Sequence, residues 1–168
     1  MQEKYNGHYK KESENMSIER VKEQFKKLGI EDRIIELDQS SATVELAAAA
    51  LGCDSREIAK TLAFDVAGKT IVVVAVGDAR IDNAKYKNTF KKKAKMIHPE
   101  QVEQRTGHAI GGVCPFGLKE GVEIYLDQSL KQLESVYPAC GSSNSCIKMS
   151  VEELEKITNP IDWVDVCK

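Results

Sequence analysis

Ile58-Ala59-Lys60-Thr61-Leu62-Ala63-Phe64-Asp65-Val66-Ala67-Gly68-Lys69-Thr70-Ile71-Val72-Val73-Val74-Ala75-Val76 is the stretch from which the fold can be read. Two β-branched, apolar runs, 58–66 and 70–76, flank Ala67-Gly68-Lys69, the pattern of a hairpin with a tight turn. Ile71–Val76 is wholly apolar, which predicts a central strand covered on both faces rather than a half-wet edge. Lys60 interrupts the apolar face that a period of two gives to Ile58, Leu62 and Phe64. A lysine there either sits at a strand end with its stem along the apolar surface and its head in water, or is held in a cleft for an anion.

Outward from the hairpin, helical and extended signals alternate without a strict βα repeat. Upstream, Ser17 reads as an N-cap for a helix with Ile18, Val21, Phe25 and Leu28 on one stripe and Gly29 as its stop. Arg33–Leu37 is a short strand candidate, and Thr43 caps a second helix that runs to Leu51 before Gly52. Downstream, Asp82–Lys93 predicts a helix with a cationic side and Lys95–Ile97 a short strand, and Pro99 opens a helix ending near Gly107. Val122–Leu126 and Asn144–Met149 read as strands, with a short helix at Gln128–Glu134. Ser150 with Glu153 forms a capping box, and Asp162–Val166 adds a last strand. The fold class this implies is α+β: a single domain with a mixed, strongly curved sheet, a partly open barrel, wrapped by helices. Residues 1–15 are polar and aperiodic and precede a second methionine, Met16, so they read as a tail or an added extension, and 16–168 as the domain.

Composition narrows the function. The chain has 168 residues, 42% hydrophobic and 30% charged, enough to bury about 68–70% of its unfolded surface and stand without staples. The longest apolar runs, Leu46–Leu51 and Ile71–Val76, are far short of the ~18 residues that cross a bilayer. No secretory signal is expected either, which argues for the cytoplasm and for reduced thiols among the five cysteines. With 24 basic against 26 acidic residues, any contact with a polyanion has to come from a local patch. Cys140 and Cys146 are too isolated from Cys53, Cys114 and Cys167 for a zinc site, and His8, His98 and His108 have no metal-ligand spacing. No metal or cofactor is expected. His98 and His108 read as surface or capping residues.

Three features remain that could carry chemistry. Gly111-Gly112-Val113-Cys114-Pro115-Phe116-Gly117 lets the backbone approach a ligand and present N–H groups to an oxyanion, although a plain structural turn explains Gly and Pro equally well. Lys60 is the second. The third is the cationic run Lys85, Lys87, Lys91, Lys92, Lys93 and Lys95 with Tyr86 and Phe90 between, either a phosphate-binding surface or a solvated helix face. Cys114 is a conceivable nucleophile, but nothing in its sequence context lowers its pKa.

Taken together, Ser41-Ala42-Thr43-Val44-Glu45, Glu57-Ile58-Ala59-Lys60-Thr61-Leu62, Thr106-Gly107 and Gly111–Gly117 resemble, in order and spacing, the YbaK/ProX family of aminoacyl-tRNA deacylases. That family is related to the editing (insertion) domain of bacterial prolyl-tRNA synthetase. The resemblance extends over about 17–166 and implies a free-standing hydrolase that removes a small noncognate amino acid such as Ala, Cys or Ser from tRNA, chiefly tRNA for proline, with prolyl-tRNA synthetase as a further partner. It implies that Lys60 lies near the 3′-terminal phosphate and ribose, and that the Gly111–Pro115 loop, with Gly111 and Gly112 at its head, holds the ester carbonyl. It also implies that Ser41, Thr43, Thr61, Val113, Cys114, Pro115, Gly141, Ser142 and Asn144 border the substrate. Many relatives carry Pro where this chain has Ser143. Lys85, Lys87, Lys91, Lys92 and Lys93 are the expected contacts to the tRNA backbone. A tRNA- or nucleotide-binding module without turnover, associated with a synthetase, and a thiol enzyme using Cys114 are the competing readings.

Overall fold

The computed structural model describes residues 16–168, so the polar stretch 1–15 lies outside the described residues. A helix, α1, covers 16–28 and closes at Gly29, whose φ of +73° suits glycine. The strands are β1 (Ile35–Glu36), β2 (Ile58–Val66), β3 (Lys69–Val76), β4 (Glu123–Asp127), β5 (Ser135–Pro138), β6 (Ser145–Cys146), β7 (Met149–Ser150) and β8 (Asp162–Val164). The remaining helices are α2 (Val44–Leu51), α3 (Asn83–Phe90), α4 (Pro99–Thr106) and α5 (Val151–Thr158).

Six strands form one sheet in the order β7-β5-β2-β3-β4-β8, and β1 pairs separately with β6. β2 and β3 are antiparallel, with Val66 opposite Lys69 across Ala67 (φ 51°) and Gly68 (φ 87°), a two-residue turn with both central residues left-handed. The pairs β2–β5, β3–β4 and β4–β8 are parallel, so the sheet is mixed. It curls into a half barrel with the five helices around it: the α+β single domain read from the sequence. Val72, Val73, Val74 and Ala75 have no exposed surface, as a strand covered on both faces requires. Val73 and Val74 join the main core with Phe25, Phe64, Tyr86, Phe116, Leu126 and Leu154, and Val72 packs with Ala63, Ile97 and Val102 under α4.

Local caps form where the side-chain chemistry predicts. Thr43 accepts from Leu46 N, His98 from Glu100 N, and Ser150 with Glu153 closes a capping box. Several segments differ from the sequence reading. Ser17 is already helical and does not cap; its hydroxyl bonds the His108 ring instead. Asn144–Met149 is not one strand: it splits into β6 and β7, which pair with β1 and β5, two different partners. Ser135–Pro138 forms β5, although Pro138 and a four-residue length hide it in the sequence. Lys95–Ile97 makes a single bridge, Met96 to Phe64, flanked by Asp65 N to Lys95 O and Ile97 N to Ala63 O. Helix α3 stops at Phe90, because Lys91 turns left-handed (φ 61°).

Candidate active site

One cavity of about 220 Å³ opens where β2, the start of α2, the loop before α4 and the glycine loop converge. Its walls are mostly apolar: Val44, Ala47 and Leu51 from α2, Ile58 and Ala63 from β2, Ile97, Val102 and Val113. Lys60 is the one charged residue among those lining it, beside Ser41, Thr43, Thr61, Gly111, Ser145 and Cys146. Lys60 and the double-glycine bend, distant in sequence, therefore share one hollow. Lys60 is half-buried and its ammonium donates to the Ala79 carbonyl. Burial pushes its pKa below that of a free lysine, with Cys167, Asp78 and Glu45 pulling the other way. The Thr61 hydroxyl is buried and has no hydrogen-bond partner among the described residues, so a polar group offered to it would be well received.

Three loops build the wall opposite β2. Ser41 donates both its amide and its hydroxyl to the Ser143 carbonyl, the latter at 3.1 Å. Gly111 sits at φ +89°, and a Cβ there would stand 3.3 Å from Ala42 Cβ and 3.7 Å from Ser143 Cβ. At Gly112 a Cβ would meet Gly141 O at 2.6 Å and Ser142 N at 2.9 Å, so here glycine is required by the close approach of two backbones. Gly112 N donates to Ala109 O at 3.0 Å, whereas the amides of Gly111 and Val113 have no partner among the described residues. Of the two glycines expected to act as donors, Gly111 lines the cavity, as does Val113, whereas Gly112 is absent from its lining and packs against the 141–142 backbone.

Other expected border residues stand behind the wall. Gly141 packs on α1, Ser142 Oγ bonds Ser145 Oγ at 2.6 Å, and Asn144 donates to Leu37 O at 3.0 Å. None of the three lines the cavity, nor does buried Pro115. Cys114 is wholly buried, 3.5 Å from both His108 Nε2 and the Phe116 carbonyl, and burial drives its thiol pKa up to about 12. Buried in this way and absent from the cavity lining, the thiol is out of reach of a substrate there, against the expectation that Cys114 could serve as a nucleophile. His108 is equally buried rather than on the surface: Nδ1 faces the Ser17 hydroxyl and Nε2 the Phe116 carbonyl at 2.5 Å. The thiol that lines the cavity is Cys146, with Ser145 beside it. No spacing signal in the sequence points to either, because β6 reaches the site through its pairing with β1 and its bridge to Ala139, both distant or irregular in sequence.

The cationic run divides. Lys85 is not free to meet a phosphate, since its ammonium donates to Asp165 Oδ1 at 3.1 Å and to the Cys167 carbonyl at 3.0 Å. Lys87, Lys91, Lys92, Lys93 and Lys95 are exposed and form no ion pair with the described residues. They lead to Met96, which with Ile110 stands exposed at the cavity rim (60% and 54%). All five cysteines are unpaired, and among the described residues no group of three or more His, Cys, Asp or Glu side chains is placed to hold a metal ion. No helix among them is long and apolar enough to cross a membrane.

A half-barrel of this topology with one apolar, singly charged cavity beside a glycine loop defines a class: the editing domains that act on aminoacyl-tRNA. Residues 38–157 match the aminoacyl-tRNA editing domain family, and the chain belongs to it. YwhH of Bacillus subtilis (strain 168), an uncharacterised protein, is 47% identical over 154 residues, 91% of this chain and 98% of that one. EbsC of Enterococcus faecalis (strain ATCC 700802 / V583), for which deacylation of Cys-tRNA(Pro) and Cys-tRNA(Cys) has been proposed, is 32% identical over 120 residues, 70% of this chain and 73% of its own. A proline–tRNA ligase of Caldicellulosiruptor bescii is 29% identical over 107 residues, 63% of this chain but only 18% of the ligase. Among solved structures, a proposed trans-editing enzyme for prolyl-tRNA synthetase superposes with a TM-score of 0.81 at 28% identity, covering 90% of this chain and 97% of that one.

Proposed function

We propose that the protein hydrolyses the ester of mischarged tRNA, removing a small noncognate amino acid such as Ala, Cys or Ser from tRNA for proline. The observation that carries this reading is the convergence of Lys60 and Gly111 on one small apolar cavity with no Asp, Glu or His in its lining. A synthetase cannot reject a side chain no larger than its own substrate by exclusion, since one methylene is worth only about 10–200-fold in an apolar pocket. A second site that admits only small side chains supplies the missing discrimination, and about 220 Å³ of mostly apolar space suits that task.

The aminoacyl ester is already activated, so the chemistry asks for stabilised charge more than for a strong nucleophile. The ammonium of Lys60 orients the 3′-terminal phosphate and ribose. The free amides of Gly111 and Val113 hold the carbonyl oxygen and take up the negative charge that develops as water adds, a contribution of about 2.7–4 kcal/mol per donor. The ribose hydroxyl beside the ester positions the water, which fits a lining without a protein base.

A deacylation panel tests this. Purified protein at substoichiometric amounts is incubated with tRNA for proline charged with Ala, Cys, Ser or Pro. The noncognate amino acids are released and Pro is spared, and Lys60→Ala slows release by about 10²-fold or more with the circular dichroism spectrum unchanged. Binding of charged tRNA with no release of any amino acid would identify a binding module instead.

A further inference from the structure

Lys60 does not hold its own place. The carbonyl that receives its ammonium belongs to Ala79, in the link between β3 and α3. Gly77 begins this link with no room for a side chain, since a Cβ would lie 2.0 Å from Ser55 O. Beyond Ala79 the link is held by the end of the chain. Arg80 and Lys168 exchange both backbone hydrogen bonds (3.2 and 2.8 Å), Ile81 bridges Cys167, and Asp82 N donates to Val166 O at 2.8 Å. That terminal segment is itself tied down twice: Asp127 Oδ1 accepts from Val166 N at 2.9 Å, and Lys85 reaches both Asp165 and the Cys167 carbonyl.

We propose that Lys85 and the segment 165–168 position Lys60, by holding in place the link whose Ala79 carbonyl receives its ammonium. The value of this for catalysis rests on the role given to Lys60 above. A lysine stem has four rotatable carbons and loses rotamer freedom when held, so a charge that must meet a phosphate in one place gains from being oriented in advance. Lys85, the link and Asp127 lie within the family match at 38–157, and the segment 165–168 lies beyond it. This brace also accounts for Lys85, a cation that sequence assigns to tRNA and the structure ties to Asp165 and the Cys167 carbonyl.

The test uses the full chain with Lys85→Met, which keeps the apolar stem and removes the donor. Two quantities are read: steady-state deacylation, split into kcat and KM at several salt concentrations, and the exchange of the Lys60 ammonium protons with water by ¹⁵N NMR. Lys85→Met lowers kcat and accelerates exchange, each by about tenfold, the size of one lost hydrogen bond. KM and its salt slope stay the same, and Lys85→Arg restores both readouts. A raised KM with a shallower salt slope and unmoved Lys60 protons would make Lys85 a tRNA contact and overturn the proposal, as would no change at all. Should Lys85→Met not fold, Asp165→Asn, at a side chain 57% exposed, loosens the same tie and shifts both readouts in the same direction by less; no shift overturns it. If the unaltered protein releases no amino acid, the functional reading fails while the exchange of Lys60 still decides the brace.

Discussion

Gly112 and Gly111 look interchangeable as a Gly-Gly pair, yet they do different work. Gly111 needs its left-handed φ and lines the cavity, while Gly112 needs the absence of a Cβ because Gly141 O lies 2.6 Å from where one would be. Gly112→Ala is therefore expected to force the glycine loop and the 141–143 loop apart. The measured result is a loss of about 1–3 kcal/mol in urea unfolding, the cost of overpacking a tight contact, with slower deacylation because Gly111 and Val113 move with the loop. The residue types that make such a loop stand out in the sequence. Which amide is spent on Ala109 and which remains free is a matter of three-dimensional path and cannot be read there.

Elements meet at His108. Its ring joins α1, through Ser17, to the far end of the glycine loop, through Phe116, and α1 in turn packs Phe25 edge-on against Phe116 at 4.8 Å. Burial, aided by the charge of Arg20 and opposed by the Phe116 hydrogen bond, pushes the histidine down to about 4. The unfolded chain takes up that proton near 6.5, so between 6.5 and 4 the unfolded state binds more protons than the folded one. Stability is then complete above 6.5 and lost as pH falls through this window, by about 2 kcal/mol between pH 7.5 and 5. Urea midpoints at those two pH values check it, and His108→Gln removes most of the difference. The ion pair of Arg33 with Glu153, at 2.8 Å, holds that carboxyl at about 2, so its contribution is lost only from about 4.5 downward and does not blur the measurement. Helices with clear caps, such as α2 and α5, and the β2–β3 hairpin were legible because their signals are local. β5 and the split of 144–149 were not, because four- and two-residue strands owe their existence to partners far away in the chain.

For the whole molecule, charge is nearly balanced at −2, so attraction to a polyanion depends on where the cations gather. Lys91, Lys92, Lys93 and Lys95 are exposed in the segment that leads to Met96 at the cavity rim, where the proposed contact with the tRNA backbone would need them. Replacing Lys91, Lys92 and Lys93 with Glu is expected to raise KM for charged tRNA while leaving kcat close to its original value. The slope of log affinity against log salt becomes shallower by about one for each phosphate contact removed. Titrations between 50 and 200 mM salt measure this directly, and an unchanged slope would put the tRNA contact on another face.

Composition, periodicity and turn chemistry determined the class of fold, the central hairpin and most of the helix ends, because each is encoded within a few neighbouring positions, and the resemblance to a known family singled out Lys60 and the glycine loop. Only the tertiary structure decided that Lys60 leans on Ala79, that Lys85 is tied to the end of the chain, that Cys114 is sealed while Cys146 lines the cavity, and that Val113 lines it where Gly112 does not. Those outcomes depend on contacts between segments tens of residues apart, where burial and the competition of each donor for its nearest acceptor are set by the packed chain and leave no local mark.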